Sequence, residues 1–198
     1  MKKVGKFIVL YGTNNLGKTT QAKLLVEKLN QNGFPAEYLK YPIYDLAPTG
    51  RKINQILRGG ADQKISELEL QELYAQNRRD FEPTLKEKLE GGINIVTEDY
   101  IGTGLAWGVT KGAPLTQLEK QNQNLLKENL AILLDGERFL DGKEQNHLHE
   151  SSDELITKNR RIHLDLAKKY GWQIVSANQS VEKVQQDIWQ KVRKFISI

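Results

Sequence analysis

Gly12-Thr13-Asn14-Asn15-Leu16-Gly17-Lys18-Thr19 fits the pattern G-x-x-x-x-G-K-[ST] without a mismatch. The residues before it, Phe7-Ile8-Val9-Leu10-Tyr11, form a short apolar run that predicts a buried strand. After it, Thr19 to Leu29 sets Ala22, Leu25, Val26 and Leu29 on one helical face. Strand, glycine loop and helix in this order give the pattern its meaning. The glycines let the backbone curl until several N–H groups point inward. Together with the helix N-terminus, those donors suit a polyphosphate. In such a loop Lys18 neutralises the β- and γ-phosphates and Thr19 ligates Mg²⁺.

Outward from the loop, strand and helix signals alternate. Asn32-Gly33 closes the first helix. Ala36 to Leu39 predicts a second strand, Arg51 to Arg58 a short helix stopped by Gly59-Gly60, and Ile65 to Leu89 a long helical stretch bent near Pro83. Ile93 to Thr97 predicts a third strand. Gly102, Gly104, Gly108 and Gly112 then make the next segment close-packed or loop-like. Leu115 to Leu126 predicts a helix, Leu130 to Leu134 a fourth strand, and the polar stretch from Glu137 to Asp153 a loop. A helix over Glu154 to Lys169, a strand over Trp172 to Val175 and a helix carrying Val181, Val184, Ile188, Val192 and Phe195 complete the chain. The expected fold is therefore α/β: a five-stranded parallel sheet with helices on both faces. Ligands in such folds sit at the carboxyl ends of the strands. With no linker and no repeat, residues 1–198 read as one domain.

Composition narrows the function classes. The chain has 198 residues, a net charge of +4, 27% charged and 38% hydrophobic residues. Without an apolar run near 20 residues, a membrane protein is not expected. Zero cysteines exclude a disulfide framework, a thiolate metal site and a thiol nucleophile. A cytoplasmic setting follows as the default. The basic residues are scattered, which fits a solvated surface and a small anionic ligand rather than a nucleic-acid stripe.

At this point the chain resembles the P-loop nucleoside monophosphate kinases, and more narrowly the thymidylate kinase family. Tyr41-Pro42-Ile43-Tyr44 with Pro48-Thr49-Gly50 is similar to that family's Phe-Pro…Pro-x-Gly segment. Leu73-Tyr74-Ala75-Gln76-Asn77-Arg78 resembles its Leu-Phe-x-x-Asn-Arg helix. Glu98-Asp99-Tyr100 stands where the family has Asp-Arg-Tyr, and Ala177-Asn178-Gln179-Ser180 resembles its adenine loop.

The resemblance implies ATP-dependent phosphorylation of a pyrimidine deoxynucleoside monophosphate, dTMP foremost, with Mg²⁺ and within a homodimer. It implies ATP binding by Gly12, Asn15, Leu16, Gly17, Lys18, Thr19, Thr20, Arg138, Asn178 and Gln179, and metal binding by Thr19 and Glu98. Acceptor binding falls to Asn14, Pro42, Arg58, Tyr74, Arg78, Tyr100, Thr103 and Trp107. Arg78 would hold the acceptor phosphate and the base edge, and Tyr74, one turn earlier, would stack on a pyrimidine. Catalysis falls to Lys18, Glu98 and Arg138, the last in a lid of about residues 137–153 that excludes water when it closes. Leu16 occupies a loop position where some relatives carry arginine. The lid cation must therefore come from Arg138, Lys143, Arg160 or Arg161.

Three residues depart from the family pattern. Asn14 replaces a loop aspartate, Glu98 replaces Asp, and Asp99 replaces Arg. The last change reverses a charge where the family clamps the acceptor phosphate. Strand alternation predicts that only one of Glu98 and Asp99 faces the loop, with Glu98 favoured for the metal. A deoxynucleoside kinase, or a nucleotide-binding protein that transfers nothing, stays open as an alternative. The stretch from Glu144 to Glu150, with His147 and His149, is a minor candidate for a structural metal. His163 reads as a packed helix residue.

Overall fold

A computed structural model describes residues 4–58, 65–137 and 153–196. The strands are β1 (Phe7–Tyr11), β2 (Ala36–Lys40), β3 (Asn94–Glu98), β4 (Leu130–Asp135) and β5 (Gln173–Ser176). They form one parallel sheet in the order β2-β3-β1-β4-β5. Between and after them lie α1 (Lys18–Gln31), α2 (Thr49–Arg58), α3 (Glu67–Glu90), α4 (Ile101–Thr110), α5 (Leu115–Gln121), α6 (Asp153–Tyr170) and α7 (Val181–Ile196).

The fully buried central strand β1 shows how the apolar run builds two cores. Its odd residues Phe7, Val9 and Tyr11 enter one cluster with Leu85 and Leu89 of α3, Leu105 of α4, Leu118 of α5 and Leu166 of α6. Its even residues Ile8 and Leu10 enter another with Ala22, Leu25 and Leu29 of α1 and Val184, Ile188 and Val192 of α7. The two-residue period of a strand thus assigns helices to both faces. Burying a Leu or Ile side chain contributes about 1.5–3 kcal/mol, so these clusters dominate the favourable side of folding.

Two segments differ from the sequence expectation. The glycine-rich stretch is α4, a helix. Its glycines serve close packing: a Cβ on Gly102 would lie 2.4 Å from Trp172 Cη2, and one on Gly108 would lie 2.6 Å from Leu118 Cδ1. Helix α5 ends at Gln121 rather than Leu126. Asn122 turns the chain there by donating from Nδ2 to the Leu118 carbonyl (2.8 Å), and Asn124 adopts φ 69°. Buried Leu125 prolongs the apolar pattern past the helix end. Helix α3 runs through Pro83 as one element, started by a capping box between Ser66 and Glu69. Of the expected lid, about residues 137–153, positions 138–152 lie outside the described residues, with Arg138, Lys143, His147 and His149 among them.

The register brings the strand ends together. Leu10 of β1 and Lys40 of β2 both pair with Glu98 of β3, so the loop after β1 opens beside the carboxyl ends of its neighbours.

Candidate active site

The loop from Gly12 to Thr19 connects β1 to α1 with three left-handed or near-left-handed residues: Gly12 at φ 144°, Asn15 at φ 60° and Gly17 at φ 76°. Gly12 is also a close approach, since a Cβ there would lie 2.6 Å from the Leu134 carbonyl oxygen. Leu16 sends its side chain into the core with Ala22 and Leu134. Only its backbone is left to offer a phosphate.

Lys18 is almost fully buried. Its ammonium donates to the carbonyls of Gly12 (3.0 Å) and Thr13 (2.9 Å) and stands 3.8 Å from Asp99. Thr19 Oγ1 reaches both oxygens of Glu98 at 2.8 Å. Glu98 also accepts from the Tyr38 hydroxyl and lies 3.4 Å from Lys40 Nζ. Burial pushes the Glu98 pKa up, but the Tyr38 hydroxyl, Lys40, Thr19 and Lys18 outweigh it and hold the carboxyl below its usual range. An ionised carboxylate beside a hydroxyl is a hard oxygen pair of the kind Mg²⁺ takes.

Asp99 corrects the alternation argument. β3 ends at Glu98, and Asp99 has φ 61°, so the chain leaves strand geometry just where alternation would send the next side chain away. Both carboxylates therefore face the phosphate-binding loop. Asp99 Oδ1 accepts from Thr103 Oγ1 (2.9 Å) on α4. Its pKa is raised, by burial first, with Lys18 opposing and Glu98 reinforcing.

A cavity of about 950 Å³ runs from the loop to α3 and α4. It collects Asn14, Asn15, Gly17, Lys18, Thr19, Thr20, Pro42, Arg58, Tyr74, Arg78, Glu98, Tyr100, Thr103 and Trp107, all singled out in the sequence. It also takes in Lys40 and Gln71, which the sequence reading passed over, and Gly104, which it read only as a packing or loop glycine. Lys40 carried one usable signal, its place at the end of a strand. Gln71 carried another, a spacing of seven residues before Arg78 on one helix face.

Arg78 is 5% exposed and has no carboxylate partner among the described residues. Nη1 donates to Asn122 Oδ1 and Nη2 to the Tyr100 carbonyl, each at 2.9 Å, while Nε has no partner. Burial lowers its pKa from the ordinary value. A guanidinium held by neutral acceptors keeps its full charge for an anion or a carbonyl. The next residue, Arg79, is engaged elsewhere, with Glu72 and the Gln121 carbonyl.

Two expected ATP contacts have other partners. Asn178 clamps Glu137, accepting from its N–H (2.6 Å) and donating to its carbonyl (2.8 Å). Gln179 donates to the Ser176 carbonyl and to Asp187. Neither lines the cavity. Among the candidates for the lid cation, Arg160 lies on α6 and grips Asp135 at 2.7 and 3.1 Å. Among the described residues, no cluster of three His, Asp or Glu forms a ready metal site, and no helix is long and apolar enough to cross a membrane.

Residues 10–188 match the family model described as thymidylate kinase. The thymidylate kinase of Danio rerio is 30% identical over 201 residues, covering 98% of this chain and 92% of that protein. The thymidylate kinase of Homo sapiens is 29% identical, with 93% and 88% covered. Among solved structures, the thymidylate kinase of Candida albicans aligns with a TM-score of 0.78 at 22% identity, covering 96% of this chain and 92% of that one.

Proposed function

The chain belongs to the thymidylate kinase family, and from that premise we propose a division of labour along the cavity for ATP-dependent phosphorylation of dTMP to dTDP. The observation that carries it is the convergence of the Gly12–Thr19 loop, Glu98 and Arg78 on one cavity at the carboxyl ends of β1 and β3.

The loop amides and Lys18 hold the triphosphate. Lys18 exchanges its two carbonyl contacts for phosphate oxygens and follows the charge that builds between the β- and γ-phosphates. Thr19 and Glu98 would hold Mg²⁺, which supplies charge neutralisation and orientation of the phosphates. Arg78 orients the acceptor, with Tyr74 and Trp107 beside the base. An oxygen of the acceptor monophosphate bonds to the γ-phosphorus, and the bond from that phosphorus to the β-bridging oxygen breaks. The acceptor oxygen is already ionised near neutral pH, so positioning and charge compensation carry the reaction without a strong base.

Arg138 is our choice for the lid cation; the homodimer rests on the family resemblance and the cytoplasmic setting on the absence of cysteines and of long apolar runs. Sedimentation equilibrium tests the dimer.

A coupled assay of ADP release with dTMP, dUMP, dCMP and thymidine tests the reading. Turnover is expected with dTMP. Turnover with thymidine alone, or ATP binding with no acceptor-dependent ADP, refutes it.

A further inference from the structure

We propose that Gln71 reads the N3 position of the acceptor base and selects keto-pyrimidines, thymine and uracil, over cytosine. The proposal rests on the cavity being a deoxynucleotide acceptor site. It adds a specificity-determining residue that sequence reasoning did not single out.

Gln71 is 2% exposed, yet its side chain lines the cavity beside Tyr74, Arg78 and Gly104. Its amide has a fixed orientation. Nε2 donates to Glu67 Oε1 at 2.8 Å, one turn earlier on α3. Glu67 Oε2 in turn lies 3.4 Å from Lys111 Nζ, just past the end of α4. A carboxylate beside an ammonium accepts and does not donate, so the amide nitrogen must face Glu67. Oε1 is therefore the free end, and no donor among the described residues reaches it.

Gly104 shows where that oxygen points. A Cβ built on Gly104 would lie 2.8 Å from Gln71 Oε1 and 3.0 Å from Arg78 Nη2. An acceptor and a donor thus converge on one small volume next to a residue with no side chain. Thymine and uracil present a matching pair, an N3–H donor beside the O4 acceptor. Cytosine presents the opposite pair, an N3 lone pair beside an amino group. Against cytosine, Oε1 would meet a lone pair and the guanidinium would meet N–H bonds. Buried polar groups left unpaired cost more than a matched bond gains, so the discrimination is built from mismatch as much as from attraction.

The test compares kcat/KM for dTMP, dUMP and dCMP in the full-length enzyme, Gln71→Met and Glu67→Gln. The parent should favour dTMP over dCMP by roughly a hundredfold or more. Gln71→Met keeps the volume and removes the acceptor. It should lower kcat/KM for dTMP and dUMP together, by about ten- to a hundredfold, with dCMP and the KM for ATP unmoved. Glu67→Gln frees the amide to turn and should narrow the dTMP-to-dCMP ratio with Gln71 in place. A ratio in Gln71→Met equal to the parent's overturns the proposal and leaves the kinase reading intact. If Gln71→Met loses all turnover, calorimetric binding of dTMP and dCMP to Glu67→Gln decides, and an unchanged ratio of affinities overturns it. A parent silent with all three monophosphates but binding ATP overturns the kinase reading, and this inference falls with it.

Discussion

Lys18 Nζ and Asp99 Oδ1 stand 3.8 Å apart at the mouth of the phosphate-binding loop, a cation meant for phosphate facing a carboxylate that phosphate must approach. Asp99 reaches this place because β3 ends one residue earlier and the backbone turns through φ 61°. Without nucleotide, the two charges offset each other. With nucleotide, Asp99 adds negative charge to a site that must hold a great deal of it.

Replacing the cation removes the group that follows the transferring phosphoryl. Lys18→Ala should lower kcat by at least a hundredfold, as loss of one aimed charge does elsewhere. Circular dichroism and the thermal transition should stay close to the parent's. Near-parent turnover would remove Lys18 from the mechanism.

Neutralising the carboxylate should act in the opposite direction on binding. Asp99→Asn keeps the Thr103 contact and tolerates the left-handed backbone. Attraction for anions rises at a partly buried site, so the KM for dTMP should fall by about three- to tenfold, less in high salt. A rise in KM would show that Asp99 assists the acceptor.

Gly104→Ala places a methyl where Gln71 Oε1 and Arg78 Nη2 already lie, 2.8 and 3.0 Å from the new carbon. Both are side-chain ends and can shift, so the fold should survive. The KM for dTMP should rise about tenfold while the KM for ATP holds. An equal rise in both constants would argue against a local effect.

His163 on α6 gives a pH-dependent contribution to stability. It is 1% exposed, Nδ1 lies 3.0 Å from the Asn159 carbonyl, and Nε2 has no partner. Burial pushes its pKa down from 6.5 to about 4. The unfolded chain therefore binds a proton at higher pH than the folded one. The neutral ring's contribution is complete above about pH 6.5 and is lost as pH falls toward 4, up to about 3 kcal/mol in all. Urea titrations of the parent and His163→Gln should converge or cross in that window. A parallel pair of curves would contradict the buried neutral ring.

The strand–loop–helix unit was legible because its signals are local: an apolar run, two glycines at fixed spacing and an amphipathic helix. Tyr74, Arg78, Thr103 and Trp107 were legible only through likeness to a family, and they do line one cavity. What escaped depends on distance in sequence. Lys40 meets Glu98 through strand register, Arg78 meets Asn122 across 44 residues, and Gln71 matters because Gly104 leaves space for it. Asp99 escaped for another reason: a rule for strands was applied one residue past a strand's end. The helix at α4 was hidden because its three glycines fit close packing or a loop equally well when their neighbours are unknown.

Strand β1 holds the middle of the sheet, with Phe7 paired to Ile95 and Ile8 to Leu130. A ribosome makes β1 well before either of its pairing partners, β3 and β4, emerges. Until β3 is made this apolar central strand has no neighbour to pair with, and its second neighbour, β4, follows only later. Nascent chains should therefore demand chaperone protection early and acquire nucleotide affinity late and abruptly.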